Sequence, residues 1–281
     1  MKTISAADIS ARVAELCMRA CTVLPPDVVR ALEMARDTEE SPLGRDVLSR
    51  LLENAALAAE QGIPMCQDTG LAVVFVEYGE DVSITGGSLA GAIADGVRAG
   101  YERGYLRSSV VVSPLDRRNT GDNTPPVIHS EIVPGSELKI TVAAKGAGSE
   151  NMSRLRMLAP AEGLEAAKQL IVETVLSAGA SACPPLVIGV GLGGSFEQCA
   201  LIAKKALLRP LDRPNPNAQE AALESEILDL VNATGVGPMG IGGSVTALAV
   251  NVETRPCHIA SLPVAVNLQC HAARHATHEW Q

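Results

Sequence analysis

The chain has 281 residues, with 23 basic against 32 acidic side chains and a formal net charge of −9. Hydrophobic residues make up 47% and charged residues 20%, the composition of a folded domain with its own core rather than of a disordered chain. Aromatics are only 2%, which removes the stacking platforms of single-strand nucleic-acid binders, and the acidic balance opposes duplex binding. No run of about 18 apolar residues occurs, so no membrane span is expected. The N-terminal stretch MKTISAADISARVAELC lacks a continuous apolar export segment. A cytoplasmic location follows as the expectation, with seven cysteines held as thiols or metal ligands.

Taken in chain order, the pattern predicts a helix over 5–36. It includes Cys17 and Cys21 four residues apart, read as small buried hydrophobes. A second helix runs from Gly44 to Gly62, striped by Val47, Leu48, Leu51, Leu52, Ala55 and Ala59 and stopped by Gly62. The loop Ile63–Gly70 leads to a β-branched strand over 71–78. A helix is predicted over 88–103, then a long polar stretch, Arg107–Ser130, of a length that is usually functional. Further strands are expected at 137–145, 186–190 and 245–252, and further helices at 160–179, 195–208 and 219–233. The helix over 219–233 carries Leu223, Ile227, Leu230 and Val231 on one face. The tail from 271 reads as helix, with His271, His275 and His278 at helical spacing on an exposed face. No internal repeat at a fixed period is visible. The alternation of elements predicts an α/β protein with mixed sheets surrounded by helices.

Three glycine-rich turns stand out, at 146–148, 189–194 and 235–243. Gly189-Val190-Gly191-Leu192-Gly193-Gly194 matches the dinucleotide fingerprint, between a strand and a helix. The segment after that helix, Arg209-Pro210-Leu211-Asp212-Arg213-Pro214, is no strand, so the βαβ unit that a nicotinamide site needs is missing. The preferred reading is that these turns present backbone N–H groups to an anion or to cluster sulfurs. No P-loop, nucleophile elbow or zinc-protease helix occurs. Cys66, Cys183 and Cys270 stand at predicted loops and strand ends, where a thiolate can face a shared ligand. Their separations of 117 and 87 residues match no local zinc or ferredoxin spacing. Asp68 alone reads as the cap of an Asx turn, and His258 alone as a satisfied core histidine.

Six ordered motifs nonetheless carry a family resemblance over nearly the whole chain. They are Pro64-Met65-Cys66-Gln67-Asp68-Thr69-Gly70, Arg107 through Asn119-Thr120-Gly121-Asp122-Asn123-Thr124-Pro125, Lys145–Asn151, Cys183-Pro184-Pro185 through Gly194, Gly235-Val236-Gly237-Pro238, and Leu262–Cys270. The chain resembles the α subunit of class I, iron–sulfur fumarate hydratases and the related L(+)-tartrate dehydratases. The resemblance implies one cluster-binding catalytic domain over 1–281, divisible into two lobes, with the fold of the N-terminal domain of iron–sulfur fumarases. It implies a [4Fe–4S] cluster on Cys66, Cys183 and Cys270, with one iron left open. It places Gln67, Asp68, Arg107, Gly146 and Gly148 at a C4 dicarboxylate substrate, and Asp68 and His258 in positioning or proton transfer. It also implies a separate β subunit in an α2β2 assembly, and no nucleic-acid or membrane partner. Fumarate hydration to L-malate is the first reading of the activity and L(+)-tartrate dehydration the second. A nicotinamide oxidoreductase and a cluster-free scaffold subunit are the readings from other classes. Two departures stand out: Ala147 interrupts a run of glycines, and His271 replaces an aromatic residue after Cys270.

Overall fold

The computed structural model describes residues 2–280. In chain order the elements are β1 (Lys2–Ser5), α1 (Ala6–Thr22), α2 (Pro26–Thr38), α3 (Pro42–Gln61), β2 (Leu71–Gly79), β3 (Val82–Thr85), α4 (Leu89–Arg103), β4 (Val127–Val133), β5 (Leu138–Lys145), the short α5 (Ala147–Glu150), β6 (Arg154–Leu158), α6 (Gly163–Ala178), β7 (Leu186–Gly193), α7 (Phe196–Ala206), α8 (Ala218–Asn232), β8 (Ala247–Arg255), β9 (Leu262–Gln269) and β10 (His275–Trp280). The architecture is mixed α/β, as expected. The chain divides into two compact units. One comprises residues up to Pro25, Asn54–Ala147 and the segment from Arg274; the other comprises Pro26–Glu53 and Gly148–Ala273.

In the first unit a four-stranded sheet runs β10-β5-β2-β4, beside a parallel β1–β3 pair. β10, β5 and β2 pair antiparallel, and β4 joins β2 in parallel. Side chains two apart point to one face of a strand, so Val74 and Val76 share their face with Ile140 and Val142. There they join Ile9 and Val13 of α1 and Ile93 and Val97 of α4 in one core. Ser5 caps α1, its hydroxyl accepting from the Asp8 amide at 3.1 Å, and Ser88 caps α4 through the Gly91 amide at 3.1 Å. α1 and α4 cross on their small residues. A Cβ at Gly96 would stand 2.6 Å from the Ser10 carbonyl, and one at Gly100 2.8 Å from that of Ala14.

In the second unit the sheet runs β6-β9-β7-β8, antiparallel except for the parallel pair β7–β8. Ile188 and Val190 pack with Ile171 and Val175 of α6 and Ile227 and Val231 of α8. On the other face α7 lies so close that a Cβ at Gly189 would stand 2.1 Å from the Ala203 carbonyl, and one at Gly191 2.2 Å from that of Cys199. The alternation of bulky residue and glycine along β7 is therefore a strand pattern with a helix pressed on its glycine face.

Four expectations need correction. The helix predicted over 5–36 is two, α1 and α2, because Pro25 and Pro26 end the first and Pro26 opens the second. The tail is not helical: β10 pairs antiparallel with β5 from His275↔Ala143 to Trp280↔Leu138, so sheet pairing overrides the three-residue spacing of its histidines. Gly189 and Gly191 present no anion cradle; they lie within β7 and admit α7. The four residues read on one face of α8 do not share one environment: Ile227 and Val231 are buried and Leu230 is exposed. Five strands, β1, β3, β4, β6 and β9, lie in stretches where no strand was expected.

The α1–α4 crossing yields the first prediction. Gly100→Val should destabilise the chain by about 1–3 kcal/mol, because the two backbones must separate. Thermal and urea unfolding against the unaltered chain reads the loss.

Candidate active site

The segment Cys66–Gly70 is held from every side within the first unit. Upstream, the Met65 amide donates to the Cys21 carbonyl at 3.0 Å, and Asn54 Nδ2 donates to the Met65 carbonyl at 2.8 Å. The Asp68 carboxylate receives the Gly70 amide on Oδ1 at 2.9 Å and the Ala147 amide on Oδ2 at 2.8 Å. The Asx turn expected of Asp68 is thus present, and the same carboxylate reaches the turn after β5. Gly70 has φ +73, and a Cβ there would stand 2.5 Å from the Lys145 carbonyl, so only glycine lets the two segments meet. Tyr101 places its hydroxyl 3.0 Å from the carbonyls of both Thr69 and Gly70.

Thr69 makes the link to Arg107. Its buried hydroxyl accepts from the Arg107 amide at 2.9 Å and lies 3.2 Å from the Arg107 carbonyl, to which it donates. One hydroxyl therefore fixes both backbone groups of Arg107. The guanidinium is exposed and makes no ion pair or side-chain hydrogen bond among the described residues. The long polar stretch is ordered by its own side chains. Asn123, fully buried, accepts from the Ser109 amide at 2.7 Å and donates to the Gly70 carbonyl at 3.3 Å. Asn119 accepts from the Gly121 amide at 2.7 Å. The Thr124 hydroxyl, followed by the Arg98 guanidinium, outweighs burial and holds the Asp122 carboxyl down at about 2. A cavity of about 570 Å³ opens beside this stretch, bounded by Arg98, Tyr101, Leu106, Ser108 and Asp122, and none of the sequence-predicted residues lines it.

One residue of this cluster escaped the sequence reading. Arg274 is 3% exposed, donates from Nε to the Ala144 carbonyl at 3.1 Å and from Nη2 to the Asp68 carbonyl, and leaves Nη1 buried without a partner among the described residues. A buried, incompletely satisfied guanidinium calls for a structural or functional reason. The only sequence signal was a cation in the apolar neighbourhood of Ala272-Ala273.

In the second unit Cys183 and Cys270 are brought together through His271. The His271 amide donates to the Cys183 carbonyl at 3.2 Å, and its ring Nδ1 lies 3.1 Å from the same oxygen. Cys183 has φ +54 and precedes two prolines. The Pro184 carbonyl accepts from the Met239 amide at 2.8 Å, which fastens this segment to the 235–243 turn. Just beyond that turn lies an anion that the chain itself supplies. Glu39, 2% exposed, accepts from the amides of Ser41, Ser244 and Val245 at 2.8–2.9 Å and from the Ser244 hydroxyl at 3.2 Å. Burial pushes its pKa up, and the four hydrogen bonds outweigh burial and hold it below the usual 4.5. Gly148 is exposed, and a Cβ there would stand 3.1 Å from the Ser181 carbonyl. His258 is exposed in the β8–β9 loop, so it is not the core histidine its surroundings suggested. Its Nδ1 accepts from the Ala260 amide at 3.1 Å, which leaves Nε2 as the protonated nitrogen of the neutral ring.

The thiols separate by environment. Cys17, Cys21 and Cys199 are buried. Burial pushes Cys17 strongly upward, takes Cys21 to about 11 against the lowering pull of Arg274, and takes Cys199 to about 11. Cys66, Cys183 and Cys270 are all half-buried, as donors to an added group should be. Among the described residues no three His, Cys, Asp or Glu side chains gather as ligands of a single metal ion. A cubane cluster takes each thiolate on a different iron, so its ligands need not converge on one point. The donor chemistry of the three half-buried cysteines fits such a group.

Two measurements test this description. Alkylation of the native chain near neutral pH, read by mass spectrometry, should modify Cys66, Cys183, Cys257 and Cys270 and spare Cys17, Cys21 and Cys199. Glu39→Gln should cost about 1–3 kcal/mol by stranding buried amides. A depressed carboxyl contributes stability above its unfolded pKa near 4.5 and loses it as pH falls through the folded value, so the gap between Glu39→Gln and the unaltered chain should shrink below pH 4.5 in thermal melts.

The family model described as "Fumarate hydratase (Fumerase)" matches residues 10–279. A Methanocaldococcus jannaschii protein provisionally named L(+)-tartrate dehydratase subunit alpha is 41% identical over 274 residues, covering 95% of this chain and 96% of that one. The L(+)-tartrate dehydratase subunit alpha of Escherichia coli strain UTI89 is 33% identical over 260 residues, covering 91% of this chain and 85% of the relative. The K12 counterpart is 32% identical over the same length. With a family model matched over almost its whole length, the chain belongs to the fumarate hydratase family of hydro-lyases.

Proposed function

We propose that this chain is the α subunit of an iron–sulfur hydro-lyase that removes or adds water on a C4 dicarboxylate. The observation that carries the reading is the Thr69 clasp, which ties the uncommitted Arg107 guanidinium to the segment bearing Cys66, Gln67 and Asp68. A planar guanidinium with all its N–H groups available suits bidentate capture of a carboxylate. In an acidic protein such local positive charge is what a dianionic substrate requires.

Cys66, Cys183 and Cys270 would hold a [4Fe–4S] cluster. When bound, such a cluster supplies a Lewis-acidic iron with an open coordination position, which makes hydroxide a better leaving group. Arg107 holds one substrate carboxylate, and Gln67, exposed beside Cys66, offers an amide to the hydroxyl or carboxylate. The turn at Gly146 and Gly148 gives the backbone room to approach the substrate. The two amide partners of Asp68 support a positioning role, with the carboxylate setting the distance between the Cys66 segment and that turn. His258, protonated on Nε2 when neutral, is suited to donate a hydrogen bond from that nitrogen rather than to abstract a proton with it. The base that removes the C3 proton would then come from a separate β subunit. The relatives' designation as alpha subunits supports that partner, and α2β2 is the assembly we propose, in the cytoplasm. No helix among the described residues is long and apolar enough to cross a membrane.

For the substrate, the relatives' names favour L(+)-tartrate, dehydrated to oxaloacetate, over the fumarate–malate pair that the sequence reading put first. The two differ by one hydroxyl, which a few polar groups suffice to accept or reject.

The test is anaerobic reconstitution with the β subunit. About four irons per chain and turnover of L(+)-tartrate or L-malate support the reading, and the ratio of the two kcat/KM values assigns the substrate. A loaded complex that turns over neither would overturn it. Arg107→Lys should lower kcat/KM by roughly 10- to 100-fold through KM, since an ammonium cannot engage a carboxylate with two parallel bonds.

A further inference from the structure

We propose that β4 is an interface between two copies of this chain, pairing antiparallel with the β4 of its twin across a two-fold axis through Ser130. β4 is the outer strand of the β10-β5-β2-β4 sheet and, among the described residues, is paired on one side only, to β2. That pairing runs in unbroken register from Val73↔Val127 to Gly79↔Val133, so the strand is regular along its whole length. Its open side is a row of backbone donors and acceptors, which folded proteins usually guard with lysine, proline, a bulge or a covering element. Val127–Val133 contains no lysine, proline, glycine or bulge. Ile132 is 73% exposed and Val127 41% exposed. The outer strand of the other sheet, β6, carries Arg154 and Arg156.

The sequence of this edge is its own complement. Residues 126–134 read Pro-Val-Ile-His-Ser-Glu-Ile-Val-Pro, the same from either end apart from the exchange of His129 and Glu131. Antiparallel pairing about Ser130 sets Val127 opposite Val133 of the second copy, Ile128 opposite Ile132, His129 opposite Glu131 and Ser130 opposite itself. Directly opposed residues share one face of a sheet, and β-branched pairs and opposite charges are the pairs that stabilise such ladders. A shift by one residue would set valine against isoleucine and would lose both histidine–glutamate pairings, so the register is specified. An isologous contact requires such self-complementarity, each patch meeting its own copy. Prolines at 126 and 134 end the ladder at both limits. The opposite edge, β10, reads His-Ala-Thr-His-Glu-Trp and has no such symmetry. The symmetry is therefore confined to the strand that is open and regular, and the two copies' four-stranded sheets would merge into one of eight.

The experiment measures the mass of the full chain in solution and maps one engineered cross-link. The unaltered 29.2 kDa chain should sediment at twice that mass. Ser130→Lys sets two ammonium groups face to face on the axis and should raise the dimer dissociation constant at least about tenfold. Ser130 is exposed, so circular dichroism should be unchanged. Opposed Cα atoms in an antiparallel ladder lie about 4.5–5.5 Å apart, within disulfide range. Mild oxidation of Ser130→Cys should therefore give a 130–130 bond between copies, identified by peptide mapping against the native cysteines, whereas Ser136→Cys in the following turn should not self-link. A monomeric chain, a dimer indifferent to Ser130→Lys, or a position-130 link to a different chain in the complex with the β subunit would each overturn the proposal.

Discussion

The candidate site depends on the Asp68 carboxylate, which joins backbone amides of two segments 79 residues apart in sequence. One oxygen closes the turn at Gly70 and the other takes the Ala147 amide, so the Cys66 segment and the turn after β5 cannot move independently. Arg274 reinforces the clasp from behind by binding the Asp68 and Ala144 carbonyls. Thr69, the next residue, extends it to Arg107. The backbone carrying Cys66, Gln67, Asp68 and Arg107 is thereby fixed by hydrogen bonds that leave the Arg107 guanidinium uncommitted. The arrangement denies a loop its freedom, which is what preorganisation of a site requires.

Glycine in this chain works chiefly by letting backbones approach. Gly96 and Gly100 bring α1 onto α4, Gly189 and Gly191 bring α7 onto β7, and Gly70 lets the Asp68 turn touch Lys145. The dinucleotide fingerprint at 189–194 arises as a by-product. Bulky residues face α6 and α8, glycines face α7, and the alternation reproduces the spacing of a phosphate loop without its geometry. Next to the 235–243 turn, the amides of Ser244 and Val245 do bind an anion, which Glu39 supplies, while within the turn the Met239 amide fastens the Cys183 segment.

Both large sheets follow one plan. A central strand, β2 or β7, takes a parallel neighbour after a helical crossover and an antiparallel neighbour next in sequence. A fourth strand, β10 or β6, then pairs antiparallel on the outside. No repeat is visible in the sequence because a shared topology constrains only which faces are apolar, and many side-chain sets satisfy that.

The sequence by itself determined the helices at 42–61, 89–103 and 163–178, the strands at 71–79 and 138–145, the mixed α/β class and the family, since these rest on local periodicity, capping residues and ordered motifs. It also separated Cys17, Cys21 and Cys199 from the other thiols, because apolar helical context foretells burial. Only the tertiary structure decided that the histidine-bearing tail is a strand, for its conformation comes from hydrogen bonds to β5 more than 130 residues away. Only the tertiary structure likewise enlisted Arg274, exposed His258, and gave the Ser244 and Val245 amides to Glu39. Each of those outcomes depends on a partner distant in sequence, and local pattern carries no information about which distant group will fill a donor or cover a face.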